Sequence, residues 1–228
     1  MSLIVGFDMD GVILDSDNHA TGSWLNDAFA RTLRAFDIPE TAENIHALHI
    51  VNLRQNIQAF CDRFNIDDPG RLLATREGNY VTGKLSALED GRIALFPDVS
   101  ALEELAQVYP LGLVSNSPQI VVDRVVDHFN LERIFRVCIG RGSSLQEIRH
   151  AKPAPQLLER LKDALRKTRG YYVGDQPEDV QAARSASLVP ITLDRQGTQG
   201  DITTLHELKC FLADHRSERN QTDTIRTQ

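Results

Sequence analysis

The segment Ile4-Val5-Gly6-Phe7-Asp8-Met9-Asp10-Gly11 limits the possible fold more than any other stretch of the 228-residue chain. Its first four residues are an unbroken apolar run without polar alternation, the pattern of a strand buried on both faces. Such a strand needs packing layers above and below it, which points to an α/β architecture. The run then meets two aspartates one residue apart. Aspartate is poorly suited to strands, and neighbouring carboxylates make each other harder to ionise. A buried strand that ends this way is tolerable only where positive charge gathers at its end.

The rest of the chain supplies the layers. Further strand candidates are "PLGLVSNS" (110–117), "FRVCIG" (135–140), "GYYVGD" (170–175) and "LVPITL" (188–193). Helical patterns lie between them: a stripe of Val121, Val125 and Phe129, a segment near 154–166, and "PEDVQAARSA". Ser117 reads as the cap of the first of these helices and Pro118 as its first residue. Alternating strands and helices imply a parallel sheet with right-handed crossovers. Between Ser16 and about Leu88 the periodicity is helical throughout. Trp24, Leu25, Ala28, Phe29 and Leu33 form one stripe, Leu53, Ile57, Phe60 and Phe64 a second, and Val81, Leu85 and Leu88 a shorter third. Asp67-Asp68-Pro69-Gly70 is a turn between helices. The expected fold is α/β, a three-layer parallel-sheet core carrying an inserted helical cap. The core is assigned to 1–15 and 92–213, the cap to 16–91, and a flexible polar tail to 214–228.

Ligands in open parallel sheets bind beyond the carboxyl ends of the strands. Asp8 and Asp10 end the first strand, Ser115 and Asn116 the second, and Asp175 the strand at 170–174, with Asp179 four residues on; Lys152 lies in the loop after the third strand. Gathering carboxylates gives a fold no stability, but a divalent cation removes the difficulty. Asp8, Asp175 and the backbone oxygen of Asp10 are the hard ligands magnesium prefers. Asp8 is then the nucleophile and Asp10 the general acid/base. Ser115, Asn116 and Lys152 bind phosphate, and Asp179 takes a supporting place behind them. Each residue has a plainer reading too: Ser115-Asn116 as a helix cap, Asp175 and Asp179 as an acidic helix start, Lys152 as a surface lysine.

"FDMDGVILDS", "LVSNS", "AKPAP" and "VGDQPEDV" together resemble, in order, the four motifs of the haloacid dehalogenase-like hydrolases, in the branch of phosphoglycolate phosphatase and beta-phosphoglucomutase. The resemblance covers residue 3 to about 193. It implies a Rossmann-like core, Mg2+ and an aspartyl-phosphate intermediate, with the cap placed where the helical insert lies. Dehalogenases of that superfamily lack the second acid of the first motif; Asp10 is present here, which favours phosphoryl transfer. The expected activity is a magnesium-dependent phosphatase for a small phosphorylated metabolite, phosphoglycolate or a sugar phosphate. A phosphomutase and a non-catalytic binding protein on the same scaffold are the alternatives. The sequence departs from the common pattern at Asp98, read as a turn variant where relatives often carry glycine, and in "GRGSSLQEIRH".

Other features exclude or leave open. A formal net charge of -7 argues against nonspecific nucleic-acid binding. No apolar run approaches the roughly 20 residues of a membrane span, the start of the chain lacks a basic signal region, and the three cysteines are far apart with no zinc spacing. A cytoplasmic protein with reduced thiols is expected, as monomer or homodimer. "GRGSS" lacks the Gly-Lys-Ser/Thr ending of a nucleotide phosphate loop. In the insert, Arg54 is assigned to substrate specificity; Arg54 and Lys84 have the chemistry to contact a substrate carboxylate or sugar, but a solvated helix face is the preferred reading of Lys84, and exposure or helix packing, rather than substrate contact, that of His19, His46 and His49.

Overall fold

The structure, a computed structural model, describes residues 3–16 and 23–214. His19 and all but the first residue of the expected tail lie outside the described residues. The chain opens with β1 (Ile4–Phe7) and a two-residue β2 (Leu14–Asp15), then enters four helices: α1 (Trp24–Arg34), α2 (Ala42–Ala47), α3 (Ile50–Arg63) and α4 (Pro69–Glu89). It returns through β3 (Ala94–Leu95) and α5 (Leu102–Ala106). There follow β4 (Leu111–Pro118), α6 (Gln119–His128), β5 (Val137–Arg141), α7 (Gln156–Leu165), β6 (Gly170–Gly174), α8 (Pro177–Ser185) and β7 (Val189–Thr192). A last helix, α9, spans 208–214.

The five long strands form one parallel sheet in the order β5-β4-β1-β6-β7. Successive strands add on one side of β1 as far as β5, then cross to its other side. That reversal places β1 at the switch point, where a crevice opens at the carboxyl ends. The sheet is covered on both faces, as the apolar run of β1 requires. Val5, Phe7, Leu111, Leu113 and Val173 pack with Val121, Val122 and Val125 on one face. Ile4, Val114 and Tyr172 pack with Leu157, Leu158 and Leu161 on the other. A side chain at Gly6 would come within 2.8 Å of Leu161, so the glycine lets α7 lie close to the sheet.

The insert has its own core of Phe29, Leu33, Leu48, Leu53, Phe60 and Leu72. Its helices are capped locally: Ser23 accepts from the Asn26 amide, Thr41 from Asn44, and Asp68 from Arg71 with Pro69 following. The chain crosses between core and insert through the antiparallel pair β2 and β3, where Leu14 faces Leu95 and Asp15 faces Ala94. The "GRGSSLQEIRH" stretch belongs to the insert as much as to the sheet, because Ile148 and Ala151 are buried in the insert's core.

Candidate active site

The register of the sheet assembles the floor. Phe7 lies opposite Leu113 on one side and Val173 on the other. Asp8 therefore stands at the same edge as Ser115 and Asp175, from strands more than a hundred residues away. The Asp8 amide still donates to the Val173 carbonyl at 2.8 Å, so the nucleophile candidate is held in the ladder. Beyond it the loop turns back at Gly11, whose φ is +81°. A Cβ there would sit 2.3 Å from Asp175 Oδ2, so this close approach needs glycine.

Lys152 ties the acids together. Its main chain is clamped by Asn116, which accepts from the Lys152 amide at 2.7 Å and donates to its carbonyl at 3.1 Å. Its buried Nζ donates to Asp8 Oδ1 and Asp179 Oδ1, both at 2.6 Å, and to the Tyr172 hydroxyl at 2.9 Å. Burial pulls the ammonium's pKa down, but Asp179 and Asp8 outweigh it and hold Lys152 well above its usual value. Asp8 is pushed well above the carboxylate range by burial; Lys152 opposes the shift, and Asp179, Asp175 and Asp10 add to it. Asp179 also accepts from the Gln176 amide at 3.1 Å, closing a capping box on α8. Ser115 Oγ accepts from the Ser117 amide at 3.0 Å, which leaves its proton to donate into the site.

The acids fit a hard divalent cation. Asp8, Asp175 and Asp179 each bring an oxygen within 4.8 Å of the others. Asp175 Oδ1 is buried without a hydrogen-bond partner, an arrangement that needs a ligand to justify it. Burial raises the Asp175 carboxyl to about 6, against a hydrogen bond from Gln176. Four carboxylates (Asp8, Asp10, Asp175, Asp179) face the ammonium groups of Lys84 and Lys152. The two formal negative charges left over are what a dication neutralises.

The insert forms the roof. Arg76, Tyr80 and Lys84 follow one another at four-residue spacing along one face of α4. Lys84, which has no exposed surface, donates to Asp10 Oδ1 at 2.5 Å, to Oδ2 at 2.7 Å, and to Ser117 Oγ at 3.2 Å. The Tyr80 and Ser117 hydroxyls are 2.8 Å apart. Further out, Glu77 receives both a bidentate pair from Arg141 at the end of β5, each bond 2.9 Å, and a 2.8 Å bond from Arg76. Roof and floor enclose a cavity of about 470 Å3.

Several expectations from the sequence change. Lys84 is buried and paired with Asp10, so it does not belong to a solvated face. Helix α6 begins at Gln119, and Ser117 makes no cap; its hydroxyl joins Lys84 and Tyr80 instead. Asp98 is more than a turn variant: buried, it accepts two bonds from Arg195 and one from the Leu205 amide. Arg54 does not line the cavity. Its Nη1 donates to the Arg149 carbonyl at 3.0 Å and ties α3 to the loop after β5. Asn116 lines the cavity, with its amide committed to Lys152. Sequence reasoning missed Tyr80, Tyr172 and the Arg76–Glu77–Arg141 group, for which the spacing 76, 80, 84 was the only local sign.

The profile of the haloacid dehalogenase-like hydrolases matches residues 4–187. The chain belongs to this family. Among haloacid dehalogenase-like relatives, a phosphoglycolate phosphatase of Escherichia coli O157:H7 is 27% identical over 227 residues, covering 89% of this chain and 85% of that protein. One from Rhodobacter capsulatus is 30% identical over 105 residues, and the match spans about half of each chain, 45% of this one and 46% of the other. The crystal structure of a predicted phosphoglycolate phosphatase from Haemophilus somnus 129PT superposes with a TM-score of 0.64 at 22% identity, over 92% of this chain and 97% of that one. That likeness shows a shared fold. No helix among the described residues is long and apolar enough to cross a membrane.

Proposed function

We propose that this hydrolase is a magnesium-dependent phosphatase for a small phosphorylated metabolite of the phosphoglycolate or sugar-phosphate class, working through an aspartyl phosphate on Asp8. The observation that carries the reading is the contact of Lys152 Nζ with both Asp8 and Asp179 at the end of β1, beside the orphaned oxygen of Asp175. The relatives named as phosphoglycolate phosphatases support the same class. Asp8, Asp175 and the Asp10 carbonyl would hold the cation, which when bound offsets charge on the phosphoryl oxygens.

Lys152 engages Asp8 Oδ1, so attack on phosphorus falls to Oδ2. The new Oδ2–P bond forms as the ester P–O bond breaks, and Asp10 gives its proton to the leaving oxygen. Water then attacks the aspartyl phosphate, Asp10 takes back a proton, and inorganic phosphate leaves. Ser115 and Lys152 hold phosphoryl oxygens throughout. The reading includes a core of 1–15 and 92–213, a cap of 16–91, and movement about β2 and β3 that admits substrate and closes out bulk water.

The test is phosphate release from a panel of phosphorylated metabolites, with magnesium and with a chelator. Release from a small acid or sugar phosphate that stops on chelation is expected. No release from any compound, or release indifferent to chelator, overturns the reading; an isomerised sugar phosphate in place of inorganic phosphate replaces it with a mutase.

A further inference from the structure

The roof holds a positive charge that the protein does not balance. Arg76 and Arg141 are both buried, 2% and 1% exposed, and they share one carboxylate, Glu77. Arg141 reaches both oxygens of Glu77 and also donates to the carbonyls of Asn116 and Gly142, so each of its three nitrogens has a partner. Arg76 is different. Its Nε donates to the Leu48 carbonyl at 3.1 Å and its Nη1 to Glu77, while Nη2 has no hydrogen bond to any described residue. The guanidinium lies 4.8 Å from the Phe29 ring centre and 4.7 Å from that of Tyr80, so its orientation is fixed between aromatic faces. Arg76 lines the cavity that also holds Asp8 and Lys152. Burial, together with Arg141, disfavours its charge, and Glu77 only partly offsets this.

A desolvated, immobilised arginine that lines a cavity and keeps one nitrogen without a protein partner is a receptor for an anion. We infer that Arg76 binds a carboxylate carried by the substrate at the end remote from its phosphoryl group. The inference rests on the phosphatase reading for what happens at the floor and names the substrate class that the roof selects. The free Nη2 offers two N–H donors, enough for a planar carboxylate; a second phosphate dianion would call for more donors than this position has. Arg76 lies two turns from Lys84 along α4, roughly 12 Å at 1.5 Å per residue. Both groups thus fit one short substrate spanning floor and roof.

The test compares three esters: phosphoglycolate, 2-hydroxyethyl phosphate, whose remote end is uncharged, and ethylene glycol bisphosphate. With the wild-type protein, kcat/KM for phosphoglycolate should exceed that for 2-hydroxyethyl phosphate by at least about thirtyfold, the size of one charge-assisted hydrogen bond. In Arg76→Gln the ratio should fall to near one, carried mainly by KM, and Arg76→Lys, which keeps the charge, should restore part of it. A purely structural role for Arg76 lowers both esters together and leaves the ratio unchanged, which overturns the inference; so does a wild-type ratio near one, or a preference for the bisphosphate. Calorimetric binding to Asp8→Asn and to Asp8→Asn/Arg76→Gln reads the same ratio without turnover. If no ester is hydrolysed the phosphatase reading fails alone, and the binding ratio still supports or sinks the receptor.

Discussion

Lys84 Nζ lies 2.5 Å from Asp10 Oδ1 and 2.7 Å from Oδ2, a two-point contact that joins the helical insert to the loop after β1. It ties the roof to the residue proposed to move protons. Lys84→Met keeps the length of the side chain and removes its charge. Breaking a buried pair from one side costs about 3–5 kcal/mol, and less where the remaining partner reaches water. The Asp10 side chain is 32% exposed, so a loss of about 1–3 kcal/mol in urea denaturation is expected, with kcat/KM down by about tenfold or more. Burial lowers the Lys84 pKa but Asp10 outweighs it, and the net shift is upward from 10.5. A raised folded value means the stabilisation is complete below 10.5 and is lost as pH rises through the folded value. The stability gap between wild type and Lys84→Met should therefore be flat from neutral pH to about 10 and shrink above it. A gap that closes near neutrality would show that the ion pair is not what Lys84 contributes.

What the sequence disclosed and withheld follows from where charge compensation comes from. The floor was legible because its signals are local: an apolar run ending in Asp8 and Asp10, another ending in Ser115, a third ending in Asp175, all placed at one edge by the parallel sheet. The roof was not. The buried face of α4 contains Arg76, Glu77 and Lys84, which break the apolar stripe a helix normally shows. Their burial is tolerable only because partners arrive from Asp10 and Arg141, more than sixty residues away in sequence, and periodicity carries no trace of that pairing. Ser117 was misread for a related reason: Ser-Pro before a helical stripe is a sound cap signal, and the hydroxyl was diverted by Tyr80 and Lys84.

Asp8→Asn should abolish turnover and leave the fold intact. Amide oxygen is a poor nucleophile, and a loss of at least about a thousandfold in kcat is expected. The wild-type carboxylate is disfavoured by burial and by Asp179, Asp175 and Asp10, with Lys152 the main opposing influence. The neutral amide relieves that crowding, so the metal-free melting temperature should be unchanged or higher. Phosphate release and thermal melts measured on one preparation check both halves. A strongly lowered melting temperature would mean the Lys152 contact dominates the balance of charge.

Magnesium binding should weaken in acid. In the metal-free protein Asp175 titrates at about 6, raised mainly by burial. Below that pH its carboxyl is protonated, and the cation must displace a proton to bind. Calorimetry should show affinity falling by about tenfold or more per pH unit below 6. Proton release on binding, seen as a heat that depends on the buffer, should appear at the acid end and fade near neutrality. Asp175→Asn should remove this dependence along with most of the affinity.

Asp98 should prove important to the loop that carries Asp10. Arg195 donates to the carbonyls of Gly11 at 3.2 Å and Val12 at 2.8 Å, directly after Asp10. Asp98 orients that arginine through bonds of 2.9 and 3.1 Å and accepts the Leu205 amide at 2.9 Å. The Phe96 ring centre lies 3.6 Å from the guanidinium and completes its seat. Asp98→Asn keeps the size and one acceptor but removes the charge, leaving Arg195 largely buried and short of a partner. A loss of about 2–3 kcal/mol is expected, which for a domain of this size lowers the melting temperature by roughly 4–12 °C. Because the Gly11–Val12 segment positions Asp10, kcat should fall more than KM rises. In a double-mutant cycle with Arg195→Met, the two substitutions should couple by more than about 1 kcal/mol. Additive effects would mean that Asp98 serves only the Leu205 turn and has no hold on the loop that carries Asp10.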